Sequence, residues 1–273
     1  MQYEDLRREA YIEAINLKEK NKLVSTFGRV PWELIYSFSL FSVPSYGIDL
    51  YVMENFKKDK NLCDLLNSTK IYLGEDKCPL MFSSSFFVVD DFCQKRNDLL
   101  YKSTDKKIYV YKTFQDFTSF LEDISGKKLD MEKLKEVTAK SIILNNLILD
   151  IRKLDMDIKE IFEIEYFSKF ILNLDERIHF LEIILKKYKN LKKLKKDYIK
   201  VCAGCGIYHN LSSRDQVLLE CGCEGENFFN IDNDDLLSYL EEKYSKKRVV
   251  KFDYSIRGCP FDEGKKLNYL GGI

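Results

Sequence analysis

The sequence carries no excess of charge of either sign. Lys+Arg and Asp+Glu each number 44, so the formal net charge is zero. Such a balance gives no bulk attraction to nucleic acid or to an anionic membrane. Long apolar runs are also missing, since none reaches the ~18 residues that a membrane helix needs. The opening MQYEDLRREAYIEAIN is polar and helical in pattern, unlike a signal peptide. The expectation is a cytoplasmic protein that binds neither membrane nor nucleic acid. Familiar catalytic signatures are absent too. The chain has no G-x-x-x-x-G-K-[ST], no G-x-G-x-x-G after a strand, no H-E-x-x-H and no G-x-S-x-G. Nucleotide binding, zinc proteolysis and serine hydrolysis therefore have no motif support. Internal repeats and low-complexity linkers are lacking. Histidine is scarce: His179 falls in a helix stripe and His209 follows a turn, and structural roles suit both.

Cysteine, by contrast, is plentiful, with eight in 273 residues. A reducing cytosol disfavours structural disulfides, so metal binding or redox chemistry becomes the reason to ask about. The bland alternative is a small buried apolar residue, which suits the isolated Cys63 in NLCDLLN.

The chain is organised around residues 77–97, KCPLMFSSSFFVVDDFCQKRN. The apolar run 86–89 reads as a buried strand of a parallel sheet, and Cys93 follows it. Functional groups of open α/β sheets gather at the carboxyl ends of strands, which puts Cys93 at the mouth of a crevice. Residues 1–24 read as a charged amphipathic helix. Residues 25–126 read as a first α/β lobe. In it, Pro31 opens a helix whose apolar face is Trp32, Leu34, Ile35 and Phe38, and Pro44 stops that helix. A short helix over 61–66, strands over 70–73, 86–89 and 108–111, and a helix over 114–124 stopped at Gly126 complete the lobe. Residues 127–196 are a helical bridge. Asp130 is its N-cap, Leu134, Val137, Ser141, Leu144, Ile148 and Ile151 its first stripe, and Ile178, Leu181, Leu185, Tyr188 and Leu191 its second. The basic run KKYKNLKKLKK at its end reads as a solvated face, with an acidic partner as the alternative. Residues 197–273 return to α/β. Strands are expected over 198–201, 217–220 and 248–252, and a helix over 233–244 with Asn233 as cap and Lys243 favoring the negative end of the dipole. The fold class is thus α/β, two Rossmann-like lobes with parallel sheets joined by a helical segment.

On this reading seven thiols fall near strand carboxyl ends. Cys93, Cys202, Cys205, Cys221 and Cys223 follow strands directly, and Cys78 and Cys259 lie in loops after strands. Thiolates converging on a crevice suit zinc or an iron–sulfur cluster. The spacing Cys202-x2-Cys205, fifteen residues, Cys221-x-Cys223 approaches a zinc ribbon. Its second half is C-x-C, however, where a ribbon has C-x-x-C.

At these residues the chain resembles the 2-hydroxyacyl-CoA dehydratase family, which includes the double-cubane-cluster reductases. VPWELIYSFSLFSVPSYG is similar to the family's opening vPeEliyAaGllPvrlyg. KCPL around Cys78 resembles its CPy cysteine, and FFVVDDFC its strand ending in tCD. ISGKKLDMEKLKEVTAKSIILNN and VLLECGCEGENFFN have counterparts there too, and Cys259 stands where the family has its last cluster cysteine. The resemblance implies two lobes with a 4Fe-4S or double-cubane cluster in the cleft, held by Cys78, Cys93 and Cys259. It implies low-potential single-electron chemistry, as in a reductase or a dehydratase lyase of anaerobic metabolism. It also implies electrons from an ATP-dependent activator protein, and a homodimer or a heterodimer with a related subunit. The chain departs from the pattern in three ways. Cys78 and Cys93 are only fifteen apart, Gln94 stands where an acid follows the cysteine, and the second lobe is shortened. Cys202, Cys205, Cys221 and Cys223 exceed a three-thiolate site and suit a second cluster. The alternative is a non-catalytic accessory or electron-transfer subunit that binds a cluster or zinc.

Overall fold

The computed structural model describes residues 3–46, 55, 59, 61–74, 78–91, 93–191 and 236–244. Helix α1 (Glu4–Lys18) opens with Glu4 and Asp5 in its first turn and closes with Lys18, as the helix dipole favours. Its buried stripe is Leu6, Arg7, Ala10 and Ala14. Strand β1 (Leu23–Phe27), helix α2 (Trp32–Ser37) and strand β2 (Phe41–Pro44) follow. Pro31 is the N-cap of α2, one residue before the position expected for it.

Neither β1 nor β2 was expected, and the reason lies in their hydroxyls. Ser25 and Thr26 make LVSTF look polar. Ser25 is nevertheless buried, its Oγ 2.8 Å from the Oγ of Ser84, and the Thr26 hydroxyl donates to the Val43 carbonyl at 3.1 Å. Satisfied hydroxyls can sit inside a sheet at little cost. Pro44 closes β2, which is an edge strand, where proline's missing N–H is tolerated.

The strand expected over 70–73 is also corrected: those residues lie in helix α3 (Asp64–Gly74). Leu65, Leu66, Thr69 and Leu73 recur at helical spacing and are all buried, and the Thr69 hydroxyl bonds back to the Leu65 carbonyl at 2.7 Å. Cys78 therefore follows a helix rather than a strand. It caps a short helix, α4 (Pro79–Ser83), with Pro79 in its first turn.

Among the remaining elements, the strands over 86–89 and 108–111, the helix over 114–124 and the two helical stripes match their patterns, while the helices over 94–103 and 158–168 were not expected. Strand β3 (Phe86–Asp90) is buried along its whole length. Helix α5 (Gln94–Ser103) leads to β4 (Ile108–Tyr111), and α6 (Phe114–Ser125) stops at Gly126, which has φ 65°. Asp130 caps α7 (Met131–Arg152), accepting the N–H groups of Glu132 and Lys133. All six residues of its expected stripe are buried. Helix α8 (Ile158–Ser168) leads to α9 (Leu174–Lys187), which Asn173 caps. In the second stripe Leu181 is buried and Ile178, Leu185 and Tyr188 pack beside it, while Leu191 is exposed. The described part of the basic run, Lys186, Lys187 and Lys189, is exposed as a solvated face would be. Of the last part, α10 (Leu236–Tyr244) is described. The expected cap Asn233 and the strands over 198–201, 217–220 and 248–252 lie outside the described residues.

The protein is α/β, with a four-stranded parallel sheet in the order β2-β1-β3-β4. The chain after β1 turns toward β2, while the chain after β3 turns toward β4. The strand order thus reverses between β1 and β3, the place where α/β sheets open a crevice. Alternation along β3 sends Phe87 and Val89 to one face and Phe86 and Val88 to the other. On the first face lie residues of α1, α3, α4, α5 and α8; on the second lie residues of α2, α6, α7 and α10. A third cluster of α7, α8 and α9 forms around Trp32.

Candidate functional site

At the reversal point the sheet is closed by its own charges. The Asp90 carboxylate, at the end of β3, pairs with Arg96 from α5 and accepts the Arg29 N–H at 2.6 Å. Arg96 also donates to the Asp90 carbonyl at 2.5 Å and lies over the Phe27 ring at 5.1 Å. Gly28 follows β1 with φ +96°, and a Cβ there would stand 2.3 Å from Asp90 Oδ2 and 2.5 Å from Arg96 Nη1. Only glycine fits at both counts.

Beside this pair, at the carboxyl ends of β1 and β2, a cavity of about 40 Å³ is lined by Thr26, Ser42, Tyr46, Trp32, Lys169 and Arg177, among others. It has room for a few waters.

Three of the eight cysteines fall among the described residues, and all three are thiols outside any disulfide. Cys93 follows β3 at the carboxyl edge, as expected, and stands at the N-cap of α5. Cys78 reaches the same face by way of α4. The two are 7% and 2% exposed and belong to one core cluster, against which the half-buried Cys63 also packs. Cys202, Cys205, Cys221, Cys223 and Cys259 lie outside the described residues, and so does His209. Among the described residues no group of three His, Cys, Asp or Glu side chains is placed to hold a metal ion. His179 is an exposed residue of α9, its Nδ1 3.9 Å from Glu182.

Among the buried charged groups that pattern reading missed are two cations with unlike partners. Arg7 lies on the apolar stripe of α1, 8% exposed, with the rings of Tyr72 at 4.9 Å and of Tyr11 and Phe170 at 5.8 Å. Burial alone would lower its pKa; Tyr166, Tyr11, Cys78 and Tyr72 face the guanidinium, and the net result is a raised pKa and a retained charge. The available signal was spacing, since Arg7, Ala10 and Ala14 are three and four apart. The second is Lys243, expected at a helix end where the dipole favours a cation. It is 2% exposed, and its Nζ donates to Glu33 Oε1 at 2.8 Å and to the Ser141 Oγ at 2.9 Å. Ser141 and Tyr244 donate to the same carboxylate at 2.6 and 2.7 Å. This network ties α10 to α2 and α7. No spacing rule pairs residues 33 and 243, so no local signal could have found it.

No helix among the described residues is long and apolar enough to cross a membrane. No protein-family model matches the chain, and no curated protein sequence matches it.

Proposed function

We propose that the chain is an iron–sulfur protein of the 2-hydroxyacyl-CoA dehydratase type, with Cys78 and Cys93 each supplying a thiolate to a cluster between two Rossmann-like lobes. The observation that carries this reading is that both thiols, fifteen residues apart, are buried in one core cluster on one face of a parallel sheet. Soft sulfur donors in dry apolar surroundings fit such a group. Two thiolates do not complete its ligation, and Cys259 is the third donor on this reading. Cys202, Cys205, Cys221 and Cys223 serve a second cluster or complete a double-cubane one. When bound, the cluster supplies single electrons at low potential. The chain's own residues hold it, exclude water from it, and close the crevice beside it through the Asp90–Arg96 pair. The reading further implies a homodimer or a heterodimer with a related subunit, electrons from an ATP-dependent activator, and a cytoplasmic setting.

The small cavity at β1 and β2 favours a second reading, a non-catalytic accessory or electron-transfer subunit that binds a cluster or zinc. Anaerobic purification, a visible spectrum and assays of iron, acid-labile sulfide and zinc test both. A brown protein whose colour is lost in Cys78→Ala and Cys93→Ala but kept in Cys63→Ala is the expected result. A colourless protein without iron would end the iron–sulfur reading, and zinc in its place would leave only the zinc form of the second. Turnover with an activator and a low-potential reductant separates an enzyme from a carrier.

A further inference from the structure

A thread of polar contacts runs from the carboxyl end of β3 to helix α10. It starts at the buried Asp90–Arg96 pair. Asp90 holds the backbone of the β1–α2 loop by accepting the Arg29 N–H at 2.6 Å. Glycine at position 28 lets the loop sit that close, since a Cβ there would strike the pair. The Arg29 side chain reaches on to α10, where its Nη2 donates to the Lys243 carbonyl at 2.8 Å. Lys243 is next to last in α10, so its carbonyl is one that the helix itself leaves unsatisfied, and a cation is a favourable donor at that end. From Lys243 the thread continues through Nζ to Glu33 of α2 and Ser141 of α7. Arg29 is the link, because its backbone answers to Asp90 and its side chain to α10.

Helix α10 has the character of a two-state element. It has nine residues, and helices shorter than ~12–15 residues are marginal in water by themselves. Its order therefore comes from docking. Tyr239 and Leu240 enter the core cluster that holds Val24, Val30 and Leu34. Lys243 enters the buried site of Glu33 and lies over the Trp32 ring at 5.1 Å. Undocking gives up these contacts and the cap from Arg29 together, so the folding of α10 and its seating on the second face are one equilibrium. Whatever moves the backbone of the β1–α2 loop biases that equilibrium through the cap.

We propose that α10 is a latch whose docking is coupled to the Asp90–Arg96 pair through Arg29. The pair lies where the strand order reverses, and Cys93 caps the helix that carries Arg96. An event at that crevice edge that draws Asp90 off the Arg29 N–H loosens the latch. Seating of α10 holds Asp90 in its pair in return, because coupling between two sites is reciprocal. The device works whatever the thiols bind.

The test is hydrogen exchange read by mass spectrometry on the full-length chain, with peptides from α10 as reporters and peptides from α9 as control. Wild type is compared with Asp90→Asn, Arg29→Ala and the double variant. Asparagine keeps the shape of the side chain and removes its charge. In Asp90→Asn the α10 amides should exchange about tenfold faster, since a charge-assisted hydrogen bond gives way to a weaker neutral one, while α9 keeps its wild-type rate. Arg29→Ala should speed α10 by a similar factor. Added to Arg29→Ala, Asp90→Asn should change α10 by less than about twofold, because its route to the helix is gone. If the stranded Arg96 charge prevents Asp90→Asn from folding, Asp90→Asn combined with Arg96→Met removes that charge and enters the same cycle. Wild-type exchange of α10 in a folded Asp90 variant would overturn the proposal. Factors that simply multiply in the double variant would overturn it as well, and so would α9 exchanging faster by the same factor as α10.

Discussion

Lys243 offers a clean test of how α10 is held. A lysine in the last turn of an exposed helix adds about 0.3–1 kcal/mol through the helix dipole. A lysine that neutralises a buried carboxylate is worth more when removed, about 3–5 kcal/mol, because it leaves an uncompensated charge behind. The two accounts differ enough to be told apart. Glu33 is fully buried, and Lys243→Met would leave it two donors, Ser141 at 2.6 Å and Tyr244 at 2.7 Å. Those donors put the expected loss at the lower end, about 3 kcal/mol. For a chain of this size each kcal/mol moves the melting temperature by about 2–4 °C, so a fall of roughly 6–12 °C is expected. Urea unfolding and calorimetry measure it. Pairing Lys243→Met with Glu33→Met should recover most of the loss, since the stranded charge is then gone. A loss below about 1 kcal/mol, or a double variant that merely adds the two single losses, would refute the buried-pair account.

Two further outcomes follow from the same geometry. Gly28→Ala forces a Cβ to within 2.3 Å of Asp90 Oδ2 at a backbone φ of +96°; left-handed backbone and overpacking together cost about 3 kcal/mol, read by urea unfolding. The Tyr111 phenol is pushed up to about 12 by burial first, then by Tyr109 and Glu33. Its folded pKa lies above the unfolded value of about 10, so its contribution is complete below pH 10 and is lost between about 10 and 12. Tyr111→Phe should flatten that part of the stability curve, and an ultraviolet titration should show one late-ionising phenol that the variant lacks.

How much of this was legible in the sequence depends on where each signal lives. Residues 108–111 and the α6 end at Gly126 were readable because their patterns are local: IYVY is uniformly strand-forming, and a left-handed glycine marks a helix stop. Asp130 and the stripe from Leu134 to Ile151 were readable for the same reason. Strand β1 was not, because Ser25 and Thr26 look solvent-facing until Ser84 and Val43, far along the chain, supply their partners. Residues 70–73 misled in the opposite direction. Ile71 and Tyr72 favour strands, and only the burial of Leu65, Thr69 and Leu73 together reveals the helical register. Cys93 was placed correctly because β3 was; Cys78 was assigned to a strand end that does not exist and reached the core by another route. Arg7 and Lys243 depend on tertiary neighbours, which periodicity does not encode.

The sharing of one face by Cys78 and Cys93 is a consequence of how the sheet is wound. Helix α2 follows β1 and lies on the second face, whereas α5 follows β3 and lies on the first. That switch of sides accompanies the reversal of strand order between β1 and β3. Helix α4 enters β3 from the first face as well, with Leu80 and Met81 in the same cluster as Leu99 and Leu100 of α5. Each thiol sits at the start of one of these two helices, so both must open onto the first face. Helix α1 is bound there by Leu6, Ala10 and Ala14, which brings Arg7 to the same side. Any sulfur centre built on these residues would therefore form on the first face, against α1, and not in the cavity at β1 and β2. Moving the thiol of Cys78 one position along the chain, with Cys78→Ala and Pro79→Cys together, would take it from the extended N-cap to the first helical position and so change its direction. That change should abolish any sulfur-held chromophore even though the number of cysteines is unchanged. A chromophore that survived it would show that the face on which the thiol lies does not matter.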